Sequence, residues 1–169
     1  SIEDYCEEIR MCKKDLEISV IASIGCSTKT CWAQWAKMVE AAGADAIEMN
    51  LSCPHSDYVM NETGRMNSFI AEMVPVVKQA VHIPVFTKMT PQLENPIYTA
   101  QVMEQGGSDG ICAFSRCLGL DIDIEKQAPV LHGGYGGHGG PWSIHYALRW
   151  ISEMYTKTRL PISGCGGVV

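Results

Sequence analysis

Ala46-Ile47-Glu48-Met49-Asn50-Leu51-Ser52-Cys53-Pro54-His55 opens as an apolar run and ends in an amide, a hydroxyl and a thiol before leaving through proline. The run is too short for a helix, and its apolar residues are nearly continuous rather than strictly alternating. That pattern belongs to a parallel strand covered on both faces. Its polar tail is what such a strand presents at its C-terminal end. Four more short apolar runs complete the set. Strands are predicted at Ile18–Ile24, Ala46–Leu51, Val85–Met89, Gly110–Phe114 and Pro161–Ser163.

Helical patterns lie between them. Thr30 to Ala42 places Trp32, Trp35, Ala36 and Val39 on one stripe, and Gly43 stops it. Ser68 to Val81 carries Ile70, Met73, Val74 and Val77, with Pro75 demanding either a kink or a late start. Asn95-Pro96 is a cap followed by a proline at the first helical position, and Gly106-Gly107 closes that helix. Ser143 to Thr158 aligns Ile144, Ala147, Leu148, Ile151 and Tyr155, and the first residues to about Cys12 read as one more helix. Strands linked by helices mean an α/β fold with right-handed crossovers. Alternation leaves a doubly wound sheet and a (β/α)₈ barrel both open. A barrel needs about 250 residues, more than the 169 present. An open sheet would leave its last strand, before Gly166-Gly167-Val168-Val169, without a covering helix. The expectation is a piece of something larger. No internal repeat, charge block or linker is read. The one biased segment is His132 to Gly140, six glycines in nine residues.

Composition is that of an ordinary globular chain, 46% apolar and 19% charged. A net charge of −6 argues against nucleic acid. No apolar run reaches the roughly 20 residues of a membrane span, and the acidic opening Ser1-Ile2-Glu3-Asp4 is unlike a signal or transit peptide. The eight cysteines contain no C-x-x-C pair and the five histidines show no metal spacing, so no metal site is expected. Free thiols point to a reducing, cytoplasmic setting.

Polar residues gather past the strand ends: Asn50, Ser52 and Cys53; Thr87, Lys88, Thr90 and Gln92; Ser115 and Arg116; Gly164-Cys165-Gly166-Gly167. Ligands bind at that end of parallel α/β folds. Lys88, inside an apolar strand, is either a strand-end lysine that finds solvent or a carboxylate, or a cation facing an anionic ligand. Cys53 is either core filler or a thiol that exchanges a proton with substrate. Asn50 offers both donor and acceptor to a cyclic amide. The glycine-rich segment is either a phosphate cradle or a flexible lid, and it is not a P-loop because G-K-[ST] is absent.

Taken in order, Ile21-Ala22-Ser23-Ile24, Ala42 to His55, Lys88-Met89-Thr90-Pro91, Gly133 to Gly137 and Gly164 to Gly167 resemble the flavin barrel shared by dihydroorotate dehydrogenases and dihydropyrimidine dehydrogenases. The N-L-S-C-P-H wording and the I-A-S-I strand are most similar to the dihydropyrimidine dehydrogenase branch. The resemblance implies a (β/α)₈ TIM barrel that binds FMN, present here as an incomplete portion of about five strands. Residues 1–169 would form a single FMN-binding domain lacking the first two barrel strands and the last. It implies Cys53 as the catalytic proton donor or acceptor at C5 of a pyrimidine ring, with hydride exchange at C6. Asn50, Ser52 and Ser115 would contact substrate. Lys88, Gly136, Gly137, Gly166 and Gly167 would bind the cofactor. Iron–sulfur clusters and NAD(P) would enter only through other domains or subunits, so the partners expected are a pyrimidine-like substrate and an electron-transfer domain or subunit, in an oligomer or a longer chain.

Two departures stand out. Phe114 falls where the family places a substrate-binding asparagine, and the loop Gly25-Cys26-Ser27-Thr28-Lys29-Thr30 lacks another. Each missing amide removes a hydrogen bond worth about 0.5–1.5 kcal/mol. The functional expectation is an FMN-dependent oxidoreductase acting on the C5–C6 bond of a pyrimidine-like ring. The alternatives are a dihydroorotate dehydrogenase, with Arg116 as the partner of the orotate carboxylate, and a non-catalytic component of a larger flavoprotein.

Overall fold

The structure, a computed structural model, describes residues 1–51 and 65–168. Five parallel strands form its main sheet: β1 (Ile21–Ile24), β2 (Ala46–Asn50), β3 (Val85–Met89), β4 (Gly110–Ala113) and β9 (Ile162–Gly164), hydrogen-bonded in that order. Helices connect them: α1 (Ile2–Asp15) before β1, then α2 (Lys29–Ala41), α3 (Met66–Ala80), α4 (Pro96–Gln105) and α5 (Ile144–Tyr155). Each helix packs on the next along the chain, α1 on α2 through to α4 on α5, so one layer of helices covers one face of the sheet. This is an α/β fold and an incomplete portion of a (β/α)₈ barrel.

The five predicted strands are present, with the first trimmed to Ile21. Local chemistry sets the helix ends. Thr28 caps α2 by accepting from the Cys31 N–H, and Gly43 follows at φ +100°. Asn95 Oδ1 accepts from Ile97 N and Tyr98 N, each at 3.1 Å, ahead of Pro96. Pro75 sits inside α3, so the late start is excluded.

Alternation along the strands divides their side chains. Ile47, Met49, Val85, Thr87, Met89 and Ile111 point into the helix layer, where Trp32, Val39, Val74, Val77 and Met103 meet them in one core. Fully burying a side chain of this size contributes about 1.5–3 kcal/mol. Thr87 is therefore not a site residue, as its strand-end position had implied. Its hydroxyl is buried at 3.0 Å from Ser108 Oγ. Ser23, Glu48, Asn50, Phe86, Lys88 and Cys112 occupy the other face.

The strand starts carry a short repeat, against the expectation of none. Gly43-Ala44-Asp45-Ala46-Ile47 leads into β2, and Gly107-Ser108-Asp109-Gly110-Ile111 leads into β4. Both first glycines have positive φ. Asp45 accepts from the Val20 N–H at 2.6 Å and from Lys13 at 2.7 Å. Asp109 accepts from the Val85 N–H at 2.7 Å and from Lys78 at 2.6 Å. Lys13 stands seven residues before Val20, as Lys78 does before Val85. The repeat is short and broken by dissimilar helices, which hides it in the sequence. Carboxylates thus lock the N-terminal edge of the sheet and leave the C-terminal edge for function.

The glycine-rich segment is not a bare loop. Cys117–Leu120 (β5) pairs antiparallel with Tyr135–His138 (β8), and Ile122–Asp123 (β6) with Ala128–Pro129 (β7). The two-tier hairpin does not read as strand in the sequence because glycine is depleted in strands. The cause is steric. At Gly136 a Cβ would meet Leu131 Cδ1 at 2.7 Å, and at Gly137 it would meet Arg116 Cδ at 3.1 Å.

Candidate active site

A cavity of about 630 Å³ opens at the C-terminal ends of β3, β4 and β9, the size range of a small-molecule site. Lys88 reaches it from β3. Phe114, Ser115 and Arg116 reach it from the exit of β4, and Cys165, Gly166 and Gly167 from the exit of β9. The hairpin adds Gly137, His138 and Gly139, and Tyr146 comes from α5.

Each element is placed by a local bond. Ser115 N donates to Met89 O at 2.8 Å, which binds the exit of β4 to the end of β3. Gln92 Oε1 accepts from Leu118 N at 3.3 Å and ties the hairpin to the β3 exit. The Tyr146 hydroxyl donates to the Pro91 carbonyl, and its ring meets Phe114 edge-on with centroids 5.3 Å apart. His138 stacks on Trp142 at 5.3 Å. These rings form an apolar wall.

Another part of the cavity wall is glycine backbone. Gly166 (φ +100°) and Gly167 (φ +75°) lie under the 3₁₀ turn Pro141–Ser143 and the start of α5. A Cβ at Gly167 would fall 2.5 Å from Ile144 N. Only glycine permits that approach, which brings the backbone of the β9 exit to a helix N-terminus, where an anion is favoured.

Lys88 is paired. Its ammonium donates to Glu48 Oε1 at 3.1 Å, with Lys88 26% and Glu48 16% exposed at the side chain. Ser23 Oγ donates to the same oxygen at 2.8 Å. Burial alone would raise the Glu48 carboxyl. Hydrogen bonds from Ser23 and Lys88, the Lys88 charge and the Cys112 thiol outweigh it and hold the group below its ordinary value. Cys112 and Cys165 lie with sulfurs 3.3 Å apart. Burial pushes the Cys112 thiol up, and the neighbouring Cys165 and Glu48 push it further.

Of the residues singled out by sequence, Lys88, Ser115, Gly137, Gly166 and Gly167 are brought together in the cavity wall. Asn50 stands directly opposite Lys88 in the β2–β3 register. Gly136 faces Leu131 and is not in the wall. Ser52 and Cys53 lie outside the described residues. The β1 exit, Gly25 to Thr30, contains no asparagine, and its Thr28 serves as the α2 cap. Sequence reasoning missed Glu48, Tyr146 and Trp142. Glu48 was legible, since it shares a face with Asn50 two residues on. The two aromatics were not, because only the tertiary fold brings the Pro141–Ser143 turn and α5 to the strand ends.

A family profile described as dihydroorotate dehydrogenase matches residues 1–169. A dihydroorotate dehydrogenase A (fumarate) of Lactobacillus delbrueckii subsp. bulgaricus is 32% identical over 154 residues, 90% of this chain and 50% of its own. The catalytic subunit of a dihydroorotate dehydrogenase B (NAD(+)) from Methanocaldococcus jannaschii is 32% identical over 171 residues, 99% of this chain and 56% of its own. The chain thus spans about half the length of these curated relatives. Among solved structures, a putative deoxyribose-phosphate aldolase from Toxoplasma gondii superposes with a TM-score of 0.59 over 93% of this chain and 60% of its own, at 20% identity, which is a likeness of fold.

Proposed function

The chain belongs to the dihydroorotate dehydrogenase family, and from that premise we propose that it is part of an FMN-dependent oxidoreductase acting on the C5–C6 bond of a dihydropyrimidine, dihydroorotate first. The observation that carries the reading is the cavity itself. It has a paired lysine at one strand end, a glycine cradle against a helix N-terminus at another, and aromatic rings in its wall. Those features fit FMN: an apolar, cation-flanked slot for a ring system and backbone N–H groups for a phosphate.

Gly166, Gly167 and the first turn of α5 would hold the phosphate, with Gly137 at the side. Lys88 would hold its positive charge beside the ring. When bound, FMN supplies the acceptor for the hydride that leaves C6. The chain's own residues would do the rest. Asn50 would orient the ring amide as donor and acceptor, Ser115 would add a second polar contact, and the Cys53 thiolate would take the proton from C5. Phe114 and Tyr146 would exclude water from one wall.

Arg116 supports dihydroorotate in particular. It lines the cavity, and among the described residues no carboxylate pairs with it. A substrate carboxylate would supply that partner. The dihydropyrimidine dehydrogenase reading rests on the wording of Asn50 to His55 and of Ile21 to Ile24, and predicts an uncharged ring instead. Electrons would leave through a separate domain or subunit.

The test is the full-length protein, examined by visible spectrum and by turnover of dihydroorotate against dihydrouracil. Bound flavin with preference for dihydroorotate is the expected result. Cys53→Ala should keep the yellow flavin and lose most turnover. A protein that takes up no FMN would refute the proposal and favour a non-catalytic component.

A further inference from the structure

One side chain from each strand meets in a row across the open face of the sheet. Ser23 comes from β1, Glu48 from β2, Lys88 from β3, Cys112 from β4 and Cys165 from the exit of β9. Lys88 and Cys165 line the cavity, whereas Glu48 lies behind Lys88 and does not. Glu48 receives the Lys88 ammonium and the Ser23 hydroxyl on one oxygen, at 3.1 and 2.8 Å.

A carboxylate so placed does two things. Its bond fixes one of the three ammonium donors and so limits where the other two can point. Its negative charge, about 3 Å from the cation in a partly dry setting, cancels much of the field that Lys88 would otherwise project into the cavity. Ser23 makes the arrangement firm, because it holds the carboxylate from the opposite strand and leaves Lys88 as the partner that can be shared.

We propose that Glu48 is a positioning residue that anchors the Lys88 ammonium and partly neutralises it, setting the positive charge felt by a ligand at the cavity wall. This rests on the flavin reading above and adds to it a residue that touches neither cofactor nor substrate. A carboxylate in this place keeps Lys88 from becoming an open anion trap when the site is empty. It also sets how strongly the site favours a reduced, anionic ring.

The experiment uses the full-length FMN-loaded protein and sulfite, an anionic probe that bleaches protein-bound flavin and binds more tightly as positive charge beside the ring increases. Glu48→Gln keeps the size and the acceptor oxygen but removes the charge. Its sulfite dissociation constant is expected to fall about tenfold, with a rise in the flavin midpoint potential. Lys88→Met is expected to move both the other way. A bridge that serves only to hold the fold would shift the two variants in the same direction, through a loosened cavity. Glu48→Gln that leaves sulfite affinity unchanged or weaker overturns the proposal. So does Lys88→Met that binds sulfite as the parent does, which decides the matter even if Glu48→Gln does not fold. If the parent protein binds no flavin, the preceding functional reading fails and this one with it. A flavin-loaded parent with unmoved variants sinks this proposal alone.

Discussion

Gly167 lies so close to Ile144 that a methyl group on its α-carbon would sit 2.5 Å from the Ile144 backbone nitrogen. The contact joins the exit of β9 to the first residue of α5. Two demands meet at one residue, a close approach and a positive φ. Any side chain there must push the helix start away from the strand end.

Gly167→Ala should therefore open the cradle and weaken FMN retention by about tenfold or more, equivalent to roughly 1.4 kcal/mol. The left-handed backbone adds about 1–2 kcal/mol of strain for a residue with a Cβ. Gly139→Ala is the comparison, because a Cβ there meets Arg116 Cγ at 3.5 Å and Cδ at 3.7 Å, both ordinary contacts, and its φ lies outside the left-handed region. Equilibrium dialysis of FMN against the two variants checks this, and equal retention would contradict the steric argument.

Asp109 should be the more damaging of the two repeated aspartates to lose. Its carboxylate accepts from the N–H of Val85, a residue with no exposed surface, and from Lys78. Asp109→Ala leaves that buried N–H without its acceptor, at a cost of about 1–3 kcal/mol. The urea unfolding midpoint should drop with the slope unchanged. A midpoint equal to that of the parent would mean that the repeat does not stabilise the sheet.

The strands and helices were legible because each is a short apolar run or a 3.6-residue stripe between strong punctuation. Thr28, Gly43 and Asn95-Pro96 are local signals with local causes. The hairpin was not legible, because its glycines answer to Leu131 and Arg116, partners that only the folded chain brings near. The candidate site divides the same way. Lys88 and Gly166-Gly167 announce themselves by position along the chain. Tyr146 enters through an α5 face that reads as ordinary helix surface. Glu48 lay within reach of alternation, but its partner Lys88 stands 40 residues away along the chain.

Asp45 gives the stability a pH dependence of known sign. The Lys13 hydrogen bond, and then the Val20 N–H, hold its carboxyl below the ordinary aspartate value. The folded chain therefore binds fewer protons there than the unfolded chain. The stabilisation is complete above the ordinary value of about 3.9 and drains away as pH falls through the lowered one. Asp45→Asn should be less stable than the parent near neutrality and should lose less on acidification. Chemical unfolding at about pH 7 and about pH 3 measures both, and parallel curves for the two proteins would exclude Asp45 as a contributor.

Arg116 offers the sharpest test of substrate choice. Its aliphatic stem crosses Gly137 and Gly139, where a Cβ would lie 3.1 Å from Arg116 Cδ and 3.5 Å from Arg116 Cγ. The bare backbone of β8 and its exit is thus the floor on which the arginine rests. A guanidinium held from beneath and paired with no carboxylate among the described residues is free to meet an anion at the cavity. A charge-assisted bond of that kind is worth about 1.5–3 kcal/mol. Arg116→Ala should accordingly raise KM for dihydroorotate about tenfold to a hundredfold, with kcat little changed and dihydrouracil turnover unmoved. Gly137→Ala should give a weaker form of the same defect, because the added methyl lifts the stem instead of removing the charge. Equal losses on both substrates would instead place Arg116 on the cofactor, and an unaltered KM for dihydroorotate would remove it from the site.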